Sequence, residues 1–261
     1  MPLVDDLARW METLAPSSLA ESWDNVGLLV GDRSIAVNGV MTCLTLTDAT
    51  VREAIEQGAD LVVTHHPLPF RPVSRLTTET TSGRLLWQLA AAQVSVYSPH
   101  TAFDSAPRGI NRRLAEGLGL AAIEVRAPAT AGPLGAGRHG CLPAPATLGQ
   151  LVERVKSFLR IGALQIVGRP ETPVTRVALA CGSAAEFIPI ARAAGCDCLV
   201  TGEARFHAAL EAQSLGLALI LAGHYASERF GVECLADELA QAFPTLCVWA
   251  SRRESDPLSW Q

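Results

Sequence analysis

The stretch from Val40 to Thr64 constrains the fold of this chain more than any other. An apolar, β-branched run over Val40–Leu46 is followed by a helical stretch that Thr50 caps and Gly58 ends, and then by a second apolar run, Leu61–Thr64. This spacing predicts a β-α-β unit with buried parallel strands. The alternation continues on both sides. Leu3, Leu7, Trp10, Met11 and Leu14 fall on one helical face, a helix over Arg84–Ala92 leads into a strand Val94–Tyr97, and another helix spans Ile110–Leu118. Further on come a helix over Leu148–Leu159, strands near Leu164 and Val177, and a helix over Ala185–Ala194. A strand ending at Thr201, a helix over Ala204–Leu215, a strand Leu217–Leu221, a helix over Ser227–Ala242 and a last strand Leu246–Ala250 complete the series. The fold class is therefore α/β. Residues Ala127–Leu148 are rich in Ala, Pro and Gly with hardly any period, and they mark a domain boundary. A first domain over 1–126, rejoined by about 243–261, and a second over 127–242 are expected.

The series contains an internal repeat. Ala54 to Thr64 aligns without a gap on Ala191 to Thr201, sharing Ala, Gly, Asp, Val and Thr at equal offsets, and each copy reads helix, glycine stop, strand. Two similar α/β halves facing each other follow from it. The alignment also sets His65-His66 opposite Gly202-Glu203, making Thr201-Gly202-Glu203 the counterpart edge of a shared cleft.

Composition excludes several function classes. With 261 residues, 49% hydrophobic and 18% charged, the chain can bury a substantial core. Its net charge is -5, and no cluster of Lys and Arg interleaved with aromatics marks a nucleic-acid footprint. Apolar stretches such as Leu217–Ala222 fall far short of the roughly 20 residues a membrane helix needs. The start, Met1-Pro2-Leu3-Val4-Asp5-Asp6, has neither a basic n-region nor an apolar h-region, so a cytoplasmic protein is expected. The seven cysteines, an odd number scattered through apolar runs, suit small buried hydrophobes in a reducing compartment.

Histidines and carboxylates cluster where strands stop. His65 and His66 end the Leu61–Thr64 run, and Pro67 and Pro69 end the strand there, so both imidazoles can address one site. His224 and Glu228 are four apart and share a face on the first turn of a helix. Asp104 follows the end of the Val94–Tyr97 strand and adds a carboxylate that can bridge two cations, with His100 four residues before it as outer ligand or orienting partner. His207 and His139 read as cleft or structural groups. Five ligands, His65, His66, Asp104, His224 and Glu228, exceed what one structural zinc requires. Imidazole mixed with carboxylate suits a pair of divalent ions, Zn, Fe, Mn, Co or Ni, and hydrolytic chemistry.

These blocks, together with Glu21-Ser22-Trp23-Asp24-Asn25-Val26-Gly27-Leu28, His100-Thr101-Ala102-Phe103-Asp104 and Thr201-Gly202-Glu203, resemble the GTP cyclohydrolase 1 type 2 family of NIF-three-like dinuclear metal-centre proteins. They span the chain in order. The resemblance implies two interlinked α/β domains with a metal cleft between them, a ring-shaped homohexamer, and two divalent metals per subunit held at the positions of His65, His66, Asp104, His224 and Glu228. It also implies the short form of the family, without an inserted domain. The turn Cys181-Gly182-Ser183-Ala184-Ala185 departs from the family in carrying Ala where further glycines are usual. Opening of the guanine ring of GTP with formate release is the implied reaction, and Glu203 and His100 are the candidate proton-moving residues. No Gly-x-x-x-x-Gly-Lys-[Ser/Thr] loop is present, so metal, helix N-termini and side chains such as Arg205 or Arg229 would hold a nucleotide. A metal-dependent phosphoesterase and a non-catalytic metal-binding or interaction protein are the alternatives.

Overall fold

The structure, a computed structural model, describes residues 1–128 and 135–259. Residues 129–134, inside the segment read as a domain boundary, and residues 260–261, the end of the stretch expected to rejoin the first domain, lie outside the described residues. In chain order the elements are α1 (Val4–Leu14), β1 (Gly27–Val30), β2 (Gly39–Cys43), α2 (Asp48–Glu56), β3 (Leu61–Thr64), α3 (Thr81–Ala91), β4 (Ser95–Ser98) and α4 (His100–Ser105). There follow α5 (Ile110–Gly117), β5 (Ala121–Pro128), β6 (Gly135–Thr147), α6 (Leu148–Leu159), β7 (Gln165–Val167), β8 (Pro173–Ser183), α7 (Phe187–Ala193), β9 (Cys198–Glu203), α8 (Phe206–Leu215), β10 (Ala218–Leu221), α9 (His224–Ala242) and β11 (Cys247–Ala250). They form two compact units, one built on Met1–Phe103 with Gly231–Pro257 and the other on Asp104–Phe230. No helix among the described residues is long and apolar enough to cross a membrane.

The first unit is a five-stranded sheet in the order β1-β4-β3-β2-β11. Its β11, β2, β3 and β4 run parallel, as uninterrupted apolar runs demand, and β1 closes the edge antiparallel to β4. Met41, Val62, Leu85, Leu89 and Val96 share one buried cluster. The helix cap differs from the sequence reading. Thr47 is the N-cap of α2, and Thr50 sits three residues inside it, the two side chains forming a reciprocal capping box. Strand β1 escaped the sequence reading because its four residues, a glycine and three apolar side chains all half-buried, form only a short run without alternation.

The second unit is a six-stranded sheet in the order β5-β6-β8-β9-β10-β7. Strands β8, β9 and β10 are parallel, with β7 antiparallel on one side and the β6-β5 pair antiparallel on the other. One face is covered by a cluster that includes Leu148, Leu151, Val177, Val200 and Ile220, and the other by one that includes Phe187, Ile188, Leu199 and Leu219. The segment taken from composition as a boundary thus contains strand. Residues 127 and 128 pair with 136 and 135, and the chain divides instead between Phe103 and Asp104, within α4, which assigns Asp104 to the second unit. Small residues and prolines hide β6 because Pro143 and Pro145 fall where its register with β8 is interrupted, between Cys141 and Ala146, so no ladder donor is needed there.

The internal repeat is visible in detail. Gly58 and Gly195 end α2 and α7 with φ of 71° and 69°, a left-handed conformation that glycine adopts without penalty. The next acidic residue then does the same work in both units. Asp60 Oδ2 accepts from the backbone N–H groups of Asn38 and Gly39 at 2.7 and 3.0 Å, at the start of β2. Asp197 Oδ2 accepts from Thr175 and Arg176 at 2.8 and 2.9 Å, near the start of β8. Each carboxylate anchors the neighbouring parallel strand to the helix-to-strand turn.

Candidate functional site

In the first unit, three imidazoles converge at the carboxyl end of β3. The strand stops at Thr64, and the next two residues remain tied to β2, with His65 N–H donating to the Cys43 carbonyl at 3.0 Å and His66 N–H to the Leu44 carbonyl at 2.8 Å. Ser98 Oγ donates to the His65 carbonyl at 2.7 Å. Held in this way, consecutive histidines address one place, with ring centroids 5.2 Å apart. His100 joins them from the start of α4, its ring 5.1 Å from that of His65 and 5.7 Å from that of His66. One ring nitrogen from each of the three lies within 4.8 Å of the others. His100 reaches this position with φ at 21°, a backbone conformation seldom adopted by a residue other than glycine and commonest at functional sites.

Two of the rings are oriented through Nδ1. Thr45 Oγ1 is 2.7 Å from His66 Nδ1, and the Asp24 carboxylate is 2.7 Å from His100 Nδ1. Asp24 also accepts from the Thr101 N–H at 3.1 Å and makes a short contact with the Thr101 hydroxyl. Burial alone would raise this carboxyl, but the bonds from His100 and Thr101 overcome it and hold Asp24 at about 2. The motif around Asp24 was evident in the sequence, yet nothing there assigned it to His100. Thr45 is anchored in turn, since Glu254 accepts from the N–H groups of Leu44 and Thr45 at 2.8 and 2.6 Å.

In the second unit, His224 Nε2 lies 3.2 Å from Glu228 Oε2, one helical turn on, and His224 Nδ1 lies 3.0 Å from Glu203 Oε1. Glu228, then Glu203, outweigh burial and push His224 up to about 9. Glu203, read from sequence as a proton carrier, is placed here as the partner of His224. Glycines make the arrangement compact: a Cβ on Gly182 would lie 2.3 Å from Glu228 Oε1, and one on Gly202 would lie 2.7 Å from Ser227 Oγ. Asp104 meets Cys181, whose thiol donates to its Oδ1 at 3.2 Å. Burial, then the charges of Asp104 and Glu228, push this thiol well above its ordinary range, so Cys181 stays protonated as a donor. Asn111 fixes the same corner by accepting from the Cys181 N–H at 2.8 Å and donating to the Asp104 carbonyl at 3.2 Å. The sequence marked Cys181 only as the start of a turn and did not mark Asn111, because their pairing joins positions 70 apart.

Of the other histidines, His139 is buried with Nε2 2.7 Å from the Arg176 guanidinium, and His207 is exposed and packs edge-on against Phe206.

The donor sets fit divalent cations. Imidazoles with one nitrogen engaged leave the other to ligate, and His224 with Glu228 adds the mixed nitrogen and oxygen set preferred by Zn, Fe, Mn, Co and Ni.

Comparison with known proteins identifies the family. The chain is 34% identical over 241 residues to a GTP cyclohydrolase 1 type 2 homolog of Clostridium acetobutylicum, covering 92% of this chain and 90% of the relative. It is 34% identical to GTP cyclohydrolase 1 type 2 of Helicobacter pylori, covering 93% of each. The fold superposes on the crystal structure of a Bacillus cereus protein related to NIF3 with a TM-score of 0.92 at 24% identity, covering 100% of this chain and 99% of that one. The model of the family Duf34/NIF3 (NGG1p interacting factor 3) matches residues 2–257, and the chain belongs to this family.

Proposed function

We propose that this protein is a dinuclear metal-dependent hydrolase of a nucleotide-like small molecule, acting in the cytoplasm, and that its reaction is opening of the guanine imidazole ring of GTP with release of formate. The observation that carries the proposal is the convergence of His65, His66 and His100, with Nδ1 of His66 and of His100 already engaged by Thr45 and Asp24. A carboxylate at Nδ1 of His100 favours the tautomer that presents Nε2 to a cation, and the Thr45 hydroxyl orients the His66 ring. The second ligand set is His224 and Glu228, with Asp104 held at Cys181. Divalent ions bound by these groups supply Lewis-acid activation of water. The relatives named as GTP cyclohydrolase 1 type 2 and its homologs support the choice of GTP. Glu203, whose Oε1 lies 3.0 Å from His224 Nδ1, and His100 are the residues to which we assign proton movement during ring opening. Assembly as a ring-shaped homohexamer belongs to the same proposal, and sedimentation equilibrium reads it directly.

The test is metal analysis of the purified protein followed by incubation of the metal-loaded sample with GTP, assaying formate and phosphate. Two metals per chain with formate release is the expected result. Phosphate without formate reassigns the centre to phosphoester hydrolysis, and bound metal with neither product overturns GTP as substrate and favours another substrate or a non-catalytic role. His65→Ala and Glu228→Ala are expected to lose bound metal while the fold persists, and unchanged metal in both removes the ligand assignment.

A further inference from the structure

Two large aromatic side chains stand in the open beside the imidazole cluster. Trp23 is 59% exposed and Phe70 43% exposed, although each would bury favourably if the fold offered it a place. Both pack against the same histidine. The Trp23 and Phe70 ring centroids each lie 6.2 Å from that of His100, at 74° and 83°, and they lie 5.9 Å from each other. Their loops are fixed to one frame, since Asn25 Nδ2 donates to the Pro69 carbonyl at 2.7 Å and the Asn25 N–H donates to the Asp24 carboxylate at 2.8 Å. That carboxylate is the one that holds His100. The two aromatics and the imidazole are thus positioned by a single hydrogen-bonded corner, which keeps the exposed rings in place before any ligand arrives.

We infer that Trp23 and Phe70 form a stacking platform for the planar heteroaromatic ring of the substrate, the base of a nucleoside or nucleotide, and set its position against His65, His66 and His100. This deepens the proposed function and rests on it for the class of substrate. With Trp23 59% and Phe70 43% exposed, much of both rings remains open to a ligand, and a base packed on them lies beside the cluster where the reacting atom must come. Base-on-aromatic stacking is tolerant of base identity and worth enough to move an affinity about tenfold or more per ring removed. The platform therefore selects for a flat ring, and discrimination among bases falls to other groups.

The experiment uses the full-length metal-loaded protein and measures equilibrium binding of GTP, ATP, CTP and UTP beside inorganic tripolyphosphate, which lacks a base. Trp23→Ala is expected to weaken nucleotide binding about tenfold or more while leaving tripolyphosphate affinity and metal content unchanged. Trp23→Phe is expected to recover most of the loss, and Phe70→Ala to show a smaller one. Nucleotide affinity unmoved by Trp23→Ala overturns the inference, as does failure of all four nucleotides to bind the unaltered protein. If Trp23→Ala instead changes the sedimentation of the protein with nucleotide binding unmoved, the aromatics belong to a contact between copies and the inference falls. The two readings fail separately. Binding that depends on Trp23 without any turnover leaves the platform and removes the reaction, whereas formate release indifferent to Trp23→Ala leaves the reaction and removes the platform.

Discussion

Asp24 and His100 are 76 positions apart in the chain, and the carboxylate of one lies 2.7 Å from Nδ1 of the other. The side chain of Asp24 is wholly buried, and with Thr101 it holds His100 in a backbone conformation that costs energy on its own. The pairing thus connects the exposed loop of Trp23 to the imidazole cluster, and it gives the acid limb of stability a specific origin.

That origin can be measured. The carboxyl of Asp24 is held at about 2 against an ordinary 3.8, so the folded state binds its proton less readily than the unfolded chain. The sign follows from linkage. The contribution is fully present above pH 4 and fades as the pH falls toward 2. Asp24→Asn is expected to lose about 2 kcal/mol at neutral pH, the magnitude of hydrogen bonds to a charged group. Denaturant unfolding of both proteins across this range should show the difference shrinking below pH 4. A difference constant down to pH 2 would show that Asp24 does not titrate as described.

Gly182 tests how closely the second ligand set is packed. Its φ of 65° disfavours any side chain, and an added Cβ would stand 2.3 Å from Glu228 Oε1. Gly182→Ala should cost about 1 kcal/mol in backbone strain and also displace the carboxylate. Because the displaced atom ends a flexible side chain, the fold should survive and divalent-metal affinity should fall. Isothermal titration with Zn or Mn separates the two effects, and full affinity in the variant would mean that Glu228 is not held where the glycine permits.

Asn111 is a third test, and its readout is stability. It is buried, and its amide satisfies the Cys181 N–H and the Asp104 carbonyl together. Asn111→Ala leaves both without that partner, a loss of about 2 to 3 kcal/mol if each unsatisfied group costs about 1 or more. Asn111→Asp keeps the acceptor, loses the donor and introduces a buried charge, so it should be at least as damaging. Thermal unfolding of the two variants checks the order, and an Asn111→Ala protein as stable as the parent would show that water replaces the amide without loss.

Much of this architecture was readable because it is local. The helix over Leu148–Leu159 is found at the bounds expected, since Thr147 and Gln150 form a capping box and the apolar positions Leu148, Leu151 and Val155 keep a helical period. The imidazoles at the end of Leu61–Thr64 were readable for the same reason, as abrupt polar stops to a buried strand. What escaped is what only the tertiary fold assembles. Asp24 is one of many loop acids until the fold brings it to His100, and Cys181 is one more buried thiol until Asp104 faces it. Strand β6 escaped because Gly, Ala and Pro weaken the periodic signal even where the ladder forms.

The repeat supplies the last test, because it predicts equality between two sites that share no contact partners. Asp60 and Asp197 each cap the start of a parallel strand through two backbone N–H groups, with distances that agree within about 0.1 Å: 2.7 and 3.0 Å in one unit, 2.8 and 2.9 Å in the other. Replacing either carboxylate removes two charge-assisted bonds, each worth about 1.5 to 3 kcal/mol less whatever water restores at these half-exposed positions. Asp60→Ala and Asp197→Ala should therefore destabilise their own units by similar amounts, about 2 kcal/mol each. Native-state hydrogen exchange locates the effect: Asp60→Ala should accelerate exchange in β2 and β3, and Asp197→Ala in β8 and β9. A large loss from one substitution with none from the other would mean that the matching sequences do unlike work, and that the resemblance between the two helix-to-strand turns stops at their shape.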